Sequence, residues 1–177
     1  MSEKELTIWT IGHSTRTLSE FIELLAVHEI KALADVRRFP ASHRHPHFDQ
    51  DALRTSLPEV GVEYVPLLEL GGRRRPRPDS QNTLWRNESF RGYADYMETE
   101  GFRAGIERLL ELARRKRTAV MCAEAVWWRC HRSLIADYLK SAGVCVRHII
   151  DKTKSELHPY TAAARFKDGT LSYSPDE

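Results

Sequence analysis

Apolar and polar positions along the chain follow two alternating periods. Leu6–Ile11, Ile30–Val36, Val62–Leu67, Thr118–Cys122 and Val144–Ile150 are short, mainly apolar runs. Such runs between turn signals predict buried strands. Pro66 marks the end of the third strand or a sheet edge. Between them, apolar positions recur at helical spacing: Leu18, Phe21, Ile22 and Leu25, then Phe102, Ile106, Leu109 and Ala113, then Leu134, Ile135, Tyr138 and Leu139. Thr17-Leu18-Ser19-Glu20 is a capping box for the first of these helices. Asp49–Leu57 predicts a further short helix closed by Pro58. Arg114-Arg115-Lys116-Arg117 places cations at a helix C-terminus, where they face its partial negative charge. Gly143 is a helix stop. Gly71–Asn82 is a loop rich in Arg, Pro and Gly. Asp168-Gly169, flanked by Ala164-Arg165-Phe166 and Leu171-Ser172-Tyr173, suggests a small terminal hairpin.

Strands alternating with helices predict an α/β fold: a three-layer, mainly parallel five-stranded sheet with helices on both faces and a small C-terminal hairpin. The 177 residues divide into a single α/β domain over 1–151 and a C-terminal extension over 152–177 that carries the hairpin. No apolar stretch approaches the ~20 residues of a membrane helix, and the first residues lack the apolar core of a signal peptide. Cys122, Cys130 and Cys145 are an odd number for a disulfide framework, so a cytoplasmic protein with reduced thiols is expected. Net charge is +2, too small for a broad phosphate footprint on duplex nucleic acid.

Parallel strands bring their carboxyl ends to one edge, where ligands bind in open α/β sheets. Here those ends are Gly12-His13-Ser14-Thr15, Asp35-Val36-Arg37-Arg38, Leu70-Gly71-Gly72-Arg73 and Cys122-Ala123-Glu124, followed shortly by Cys130-His131-Arg132 at the start of a helix. These residues should converge on one concavity. Together with Pro40 and Ser133, they also resemble the motif set of the domain-of-unknown-function 488 family, from about Thr10 to Phe166. The sequence departs at His43-Arg44-His45-Pro46-His47, where the resemblance implies a shorter Ser-Arg-type segment. The resemblance implies a cytosolic, mostly bacterial or archaeal α/β protein and supplies no established reaction.

Each residue carries a plain reading beside a functional one. Cys122 is a buried strand-end thiol or a nucleophile whose pKa Arg132 and a helix N-terminus lower. His131 is a core histidine or the base for Cys122. Asp35 and Arg37 are a structural ion pair, or a reactive carboxylate and an anion fork. Gly12-His13-Ser14 offers backbone N–H groups to an anion. Gly71-Gly72 serve a turn with positive φ or a close approach. Arg73-Arg74-Arg75-Pro76-Arg77 is a solvated loop or a lid over an anion. Cys122, Cys130, His131 and His13 are the set available to a metal, with a spacing that matches no standard zinc pattern. The His43, His45 and His47 loop is a weaker metal candidate.

The favoured reading is an enzyme on a small anionic or nucleotide-like substrate. Cys122, His131, Glu124 and Asp35 would be its reactive groups. Gly12, His13, Ser14, Arg37, Gly71, Gly72, Arg73 and Arg132 would hold the substrate, and the sequence requires no cofactor. A nucleic-acid module using the Arg-rich loop with Trp127 and Trp128 is the alternative, and a thiol or metal sensor a third. No membrane partner is expected, and the oligomeric state is not legible.

Overall fold

A computed structural model describes residues 5–39 and 44–175; Pro40 and His43, singled out above, lie outside the described residues. Six strands form one sheet in the order β3-β2-β4-β1-β5-β6. They are β1 (Thr7–Gly12), β2 (Ala32–Asp35), β3 (Glu63–Pro66), β4 (Thr118–Cys122), β5 (Cys145–Ile149) and β6 (Ser155–Leu157). All pairings among β1 to β5 are parallel. β6 adds an antiparallel edge beside β5. This three-residue strand has too little periodicity to be read from sequence, and it places part of the segment after Asp151 within the main sheet. The expected terminal hairpin is β7 (Arg165–Lys167) and β8 (Thr170–Ser172), turned by Asp168 and Gly169 in positive φ.

Helices cover both faces. α1 (Leu18–Val27) and α2 (Gln50–Glu59) bury Phe21, Leu25, Leu53 and Leu57 against Trp9, Ile11, Leu33 and Met121. α4 (Glu100–Arg115) and α5 (Arg132–Ser141) cover Ile8, Ala34, Val120 and Val146 on the other face. Each fully buried side chain of this kind contributes roughly 1.5–3 kcal/mol of transfer free energy. The Thr17–Glu20 capping box forms with both reciprocal bonds. Pro58 sits in the last turn of α2 rather than ending it, and its missing N–H takes one bond from that turn.

One helix escaped the sequence pattern: α3 (Glu88–Tyr96), capped by the Asn87 side chain, which accepts from the Ser89 and Phe90 amides. It holds the Arg-rich loop. A Cβ on Gly92 would lie 2.1 Å from the Arg74 carbonyl oxygen, so helix and loop backbone touch there. The Arg74 guanidinium sits 3.7 Å over the Tyr96 ring. Asp95 accepts from the Arg77 amide, Ser80 Oγ and Asn82 Nδ2, each at 2.7 Å. The loop is thus a fixed strap rather than a loose solvated segment or lid.

Chain connections diverge at the middle of the sheet. After β1 and β2 the chain turns to the α1/α2 face, and after β4, which lies between them, to the α4/α5 face. Such a switch point opens a crevice at the carboxyl ends of the strands.

Candidate functional site

A cleft of about 750 Å³ lies at that crevice. Of the residues expected there, His13, Ser14, Arg37, Gly72, Arg73, Cys122, Glu124 and His131 line it, and so does Cys130. Gly12, Asp35, Gly71 and Arg132 do not; they stand behind the wall and shape it.

Asp35 and Arg37 form the structural pair. Arg37 Nε and Nη2 donate to the two Asp35 oxygens at 2.9 and 2.7 Å, and Tyr64 Oη donates to Oδ2 at 2.5 Å. Arg37 Nη2 also donates to the Phe48 carbonyl at 2.7 Å. Asp35 is fully buried, so the expected reactive carboxylate is a bracket for the loop after β2. Burial and this carboxylate push the Tyr64 phenol upward.

The Gly12-His13-Ser14 amides are not free for an anion. His13 N donates to the Cys122 carbonyl and Ser14 N to the Ala123 carbonyl, both at 2.9 Å, which extends the β1–β4 ladder. Gly12 answers a close approach instead: a Cβ there would fall 1.7 Å from the Glu124 oxygen. His13 Nδ1 donates to the Ser14 carbonyl at 3.0 Å, which leaves Nε2 to accept from Arg37 at 3.4 Å. The ring stacks on Phe48, and burial lowers its pKa to about 4.

Gly71 and Gly72 likewise mark close approaches, and neither has positive φ. A Cβ on Gly72 would lie 2.8 Å from His131 Nδ1, and one on Gly71 2.6 Å from the Arg38 Cα. Arg73, the next residue, does adopt positive φ.

The thiol chemistry differs from expectation. Burial pushes Cys122 upward, with the neighbouring Cys130 adding to the effect, and its S–H donates to the Glu124 carbonyl at 3.7 Å. Cys130 is the thiol held low: burial opposes this, but the neighbouring Cys122 thiol, the Arg132 charge and the Arg132 amide together outweigh it. Cys130 immediately precedes His131, the N-cap residue of α5. Its Sγ accepts from the Arg132 amide at 3.5 Å, and its carbonyl accepts from Ser133 N and Oγ at 3.0 and 2.8 Å. His131 Nδ1 stands 3.4 Å from Cys130 Sγ. His131 Nε2 lies 2.8 Å from the Val36 carbonyl and must carry the proton to donate to it, so Nδ1 is left as acceptor. The imidazole thus serves Cys130, and burial lowers its pKa.

Arg132 meets neither Asp35 nor the Glu124 carboxylate. It is 1% exposed; Nη1 donates to Thr10 Oγ1 at 3.0 Å, and Nη2 to the carbonyls of Glu124 at 2.8 Å and Ala125 at 3.3 Å. Behind it runs a chain of buried groups invisible to motif reading. Thr10 Oγ1 bonds His148 Nδ1, His148 Nε2 meets His158 Nδ1 at 2.8 Å, and His158 Nε2 meets Asp137 Oδ1 at 2.8 Å. With Arg132 donating at one end and a carboxylate accepting at the other, one donor direction satisfies the whole chain through two neutral imidazoles. Thr161 and Tyr173 also donate to Asp137. Trp127 stacks flat on His148, with centroids 4.6 Å apart, so that face of the indole is used internally, whereas Trp128 is 54% exposed.

No three His, Cys, Asp or Glu side chains among the described residues sit where they could hold one metal ion, so Cys122, Cys130, His131 and His13 do not form the metal set their types allowed. What sequence reasoning missed is the guanidinium content of the wall. Arg38, Arg44 and Arg129 join Arg73 there, against Glu124 as the one exposed carboxylate of the wall among the described residues. None of these four arginines is in an ion pair among the described residues. Their signal in the sequence is only adjacency to the motifs, since exposed arginines carry no periodicity.

The fold and cleft define a three-layer α/β protein with a thiol–imidazole pair in an arginine-rich crevice at the switch point of its sheet. The chain belongs to the family described as the domain of unknown function DUF488, whose family model matches residues 17–139. No curated protein and no solved structure matches it. No helix among the described residues is long and apolar enough to cross a membrane.

Proposed function

We propose that the cleft is the active site of an enzyme acting on a small anionic or nucleotide-like substrate, with Cys130 as the nucleophile. The observation that carries this is the place of Cys130 Sγ, between the Arg132 amide and His131 Nδ1 in an arginine-lined wall. The Cys130 proton passes to Nδ1 of His131, and the thiolate is stabilised by the helix N-terminus, the Arg132 amide and the Arg132 charge. The thiolate attacks the electrophilic centre, a bond to sulfur forms, and the leaving group departs with the proton from His131. Water then releases the adduct, with Glu124 as the carboxylate available to accept its proton. The cleft arginines hold the substrate's negative charge.

Iodoacetamide labelling against pH, read by mass spectrometry, tests the reading. Cys130 should label at lower pH and faster than Cys145, and Cys122 slowest of the three. Inorganic phosphate should protect Cys130, and Arg129→Ala should abolish that protection. Equal labelling of Cys130 and Cys145 on the folded protein removes the nucleophile and with it the proposal.

A further inference from the structure

A second cleft, of about 440 Å³, adjoins the first. Arg38 and Arg73 line both and form the wall between them. Beyond that wall the strap supplies Arg74, Arg75 and Arg77. Their circumstances differ. Arg74 is spent on the Tyr96 ring and the Gly71 carbonyl, and Arg77 is paired with Glu98. Arg38, Arg73 and Arg75 are exposed and in no ion pair among the described residues, although Arg38 Nη1 donates to the Arg73 carbonyl at 2.7 Å. Phe39 lines the first cleft beside that wall, 60% exposed, with the Arg38 and Arg73 guanidiniums 5.5 and 5.8 Å from its ring centre.

Unpaired guanidiniums usually fan out into solvent at an entropic advantage. Here the backbone bearing Arg73 and Arg75 is fixed by Gly92, Tyr96 and Asp95, so the charges are displayed rather than trailing. Two concave cationic sites in series, with an aromatic ring and stackable guanidinium planes at their junction, suit a ligand with regularly spaced anions and flat groups between them. A polyphosphate chain has no use for the ring. A duplex is too wide to enter two clefts of this size, whereas a single strand lays its phosphates on the arginines and its bases on the aromatic face.

We infer that the two clefts form one groove for a short single strand of nucleic acid, with a nucleotide of that strand seated at Cys130. This rests on the active-site reading above and names its substrate class.

Fluorescence anisotropy with end-labelled oligothymidylates of increasing length tests it, with the mononucleotide and inorganic tripolyphosphate as competitors. Affinity should climb with length until both clefts are filled and then level off. Phe39→Ala should weaken the longer strands by about tenfold and the mononucleotide by less. Arg75→Ala should lower the slope of log affinity against log salt by about 0.7, the contribution of one single-strand phosphate. Both variants should label at Cys130 as the parent does, which shows that they are folded. An oligomer that binds no tighter than the mononucleotide, or that tripolyphosphate displaces at equal concentration, overturns the groove, while phosphate protection of Cys130 leaves the active-site reading standing. Strand binding untouched by Arg129→Ala also overturns it, since the strand would then not reach the inner cleft.

Discussion

Gly72 leaves no room for a methyl group. Its Cβ would meet the His131 ring, a side chain with some freedom to move, whereas the Cβ of Gly12 would meet a backbone carbonyl at 1.7 Å. Gly72→Ala is therefore expected to cost about 1–3 kcal/mol and to push the imidazole off its line with Cys130, so that the Cys130 labelling midpoint rises. Gly12→Ala should cost more, because the Glu124 carbonyl is held by Arg132 and cannot swing away. Thermal melts of the two variants, compared with labelling of Gly72→Ala, check both the order and the link to the thiol. At this scale the sequence was only half legible. Cys130 and His131 stood out by type, but adjacency hid that they face each other, and the same burial that draws attention to Cys122 disfavours its thiolate.

The buried chain from Asp137 to Arg132 ties together elements far apart in sequence: α5, the β6 turn, β5 and β1. Burial holds the His148 pKa near about 2 against the ordinary 6.5, with His158 and Arg132 adding to the effect. The folded protein thus refuses a proton that the unfolded chain accepts below pH 6.5. This stabilisation is complete above pH 6.5 and drains as pH falls from there toward the folded value. Between pH 6.5 and 4.5 the loss should approach about 2–3 kcal/mol, visible as a falling urea midpoint, and His148→Gln should flatten that slope. Asp137→Asn presents an NH2 group to donors that need an acceptor, and a loss of about 2–3 kcal/mol is expected at neutral pH. An unchanged midpoint in Asp137→Asn would mean the network is not under tension from its carboxylate. The parallel strands and the helices α1, α4 and α5 were legible because each carries one strong apolar period. α3 was not: its identity comes from a side-chain cap and a glycine contact, neither of which repeats along the chain. The buried histidines sit on apolar stripes and are distinguished only by partners contributed from elsewhere.

At the scale of the molecule, the segment after Asp151 closes the sheet and supplies His158, Thr161 and Tyr173 to the buried carboxylate. A chain stopped at Asp151 leaves Asp137 and His148 without those partners, and it should lose its cooperative urea transition. A truncated protein that melts like the parent would show instead that the β1–β5 sheet is self-sufficient.

The strap along α3 separates two properties that are usually entangled. Its shape is enforced by Gly92, Tyr96 and Asp95, while its outward charge is carried by Arg73 and Arg75, whose guanidiniums form no ion pair among the described residues. In a saturation mutagenesis of residues 71–98 scored once for abundance and once for ligand retention, the two maps should barely overlap. Arg75 would tolerate nearly any replacement by the first measure, within about 0.5 kcal/mol, Arg73 any that accepts its positive φ, and Gly92 almost none. New recognition chemistry could then be written onto this surface without renegotiating the fold beneath it.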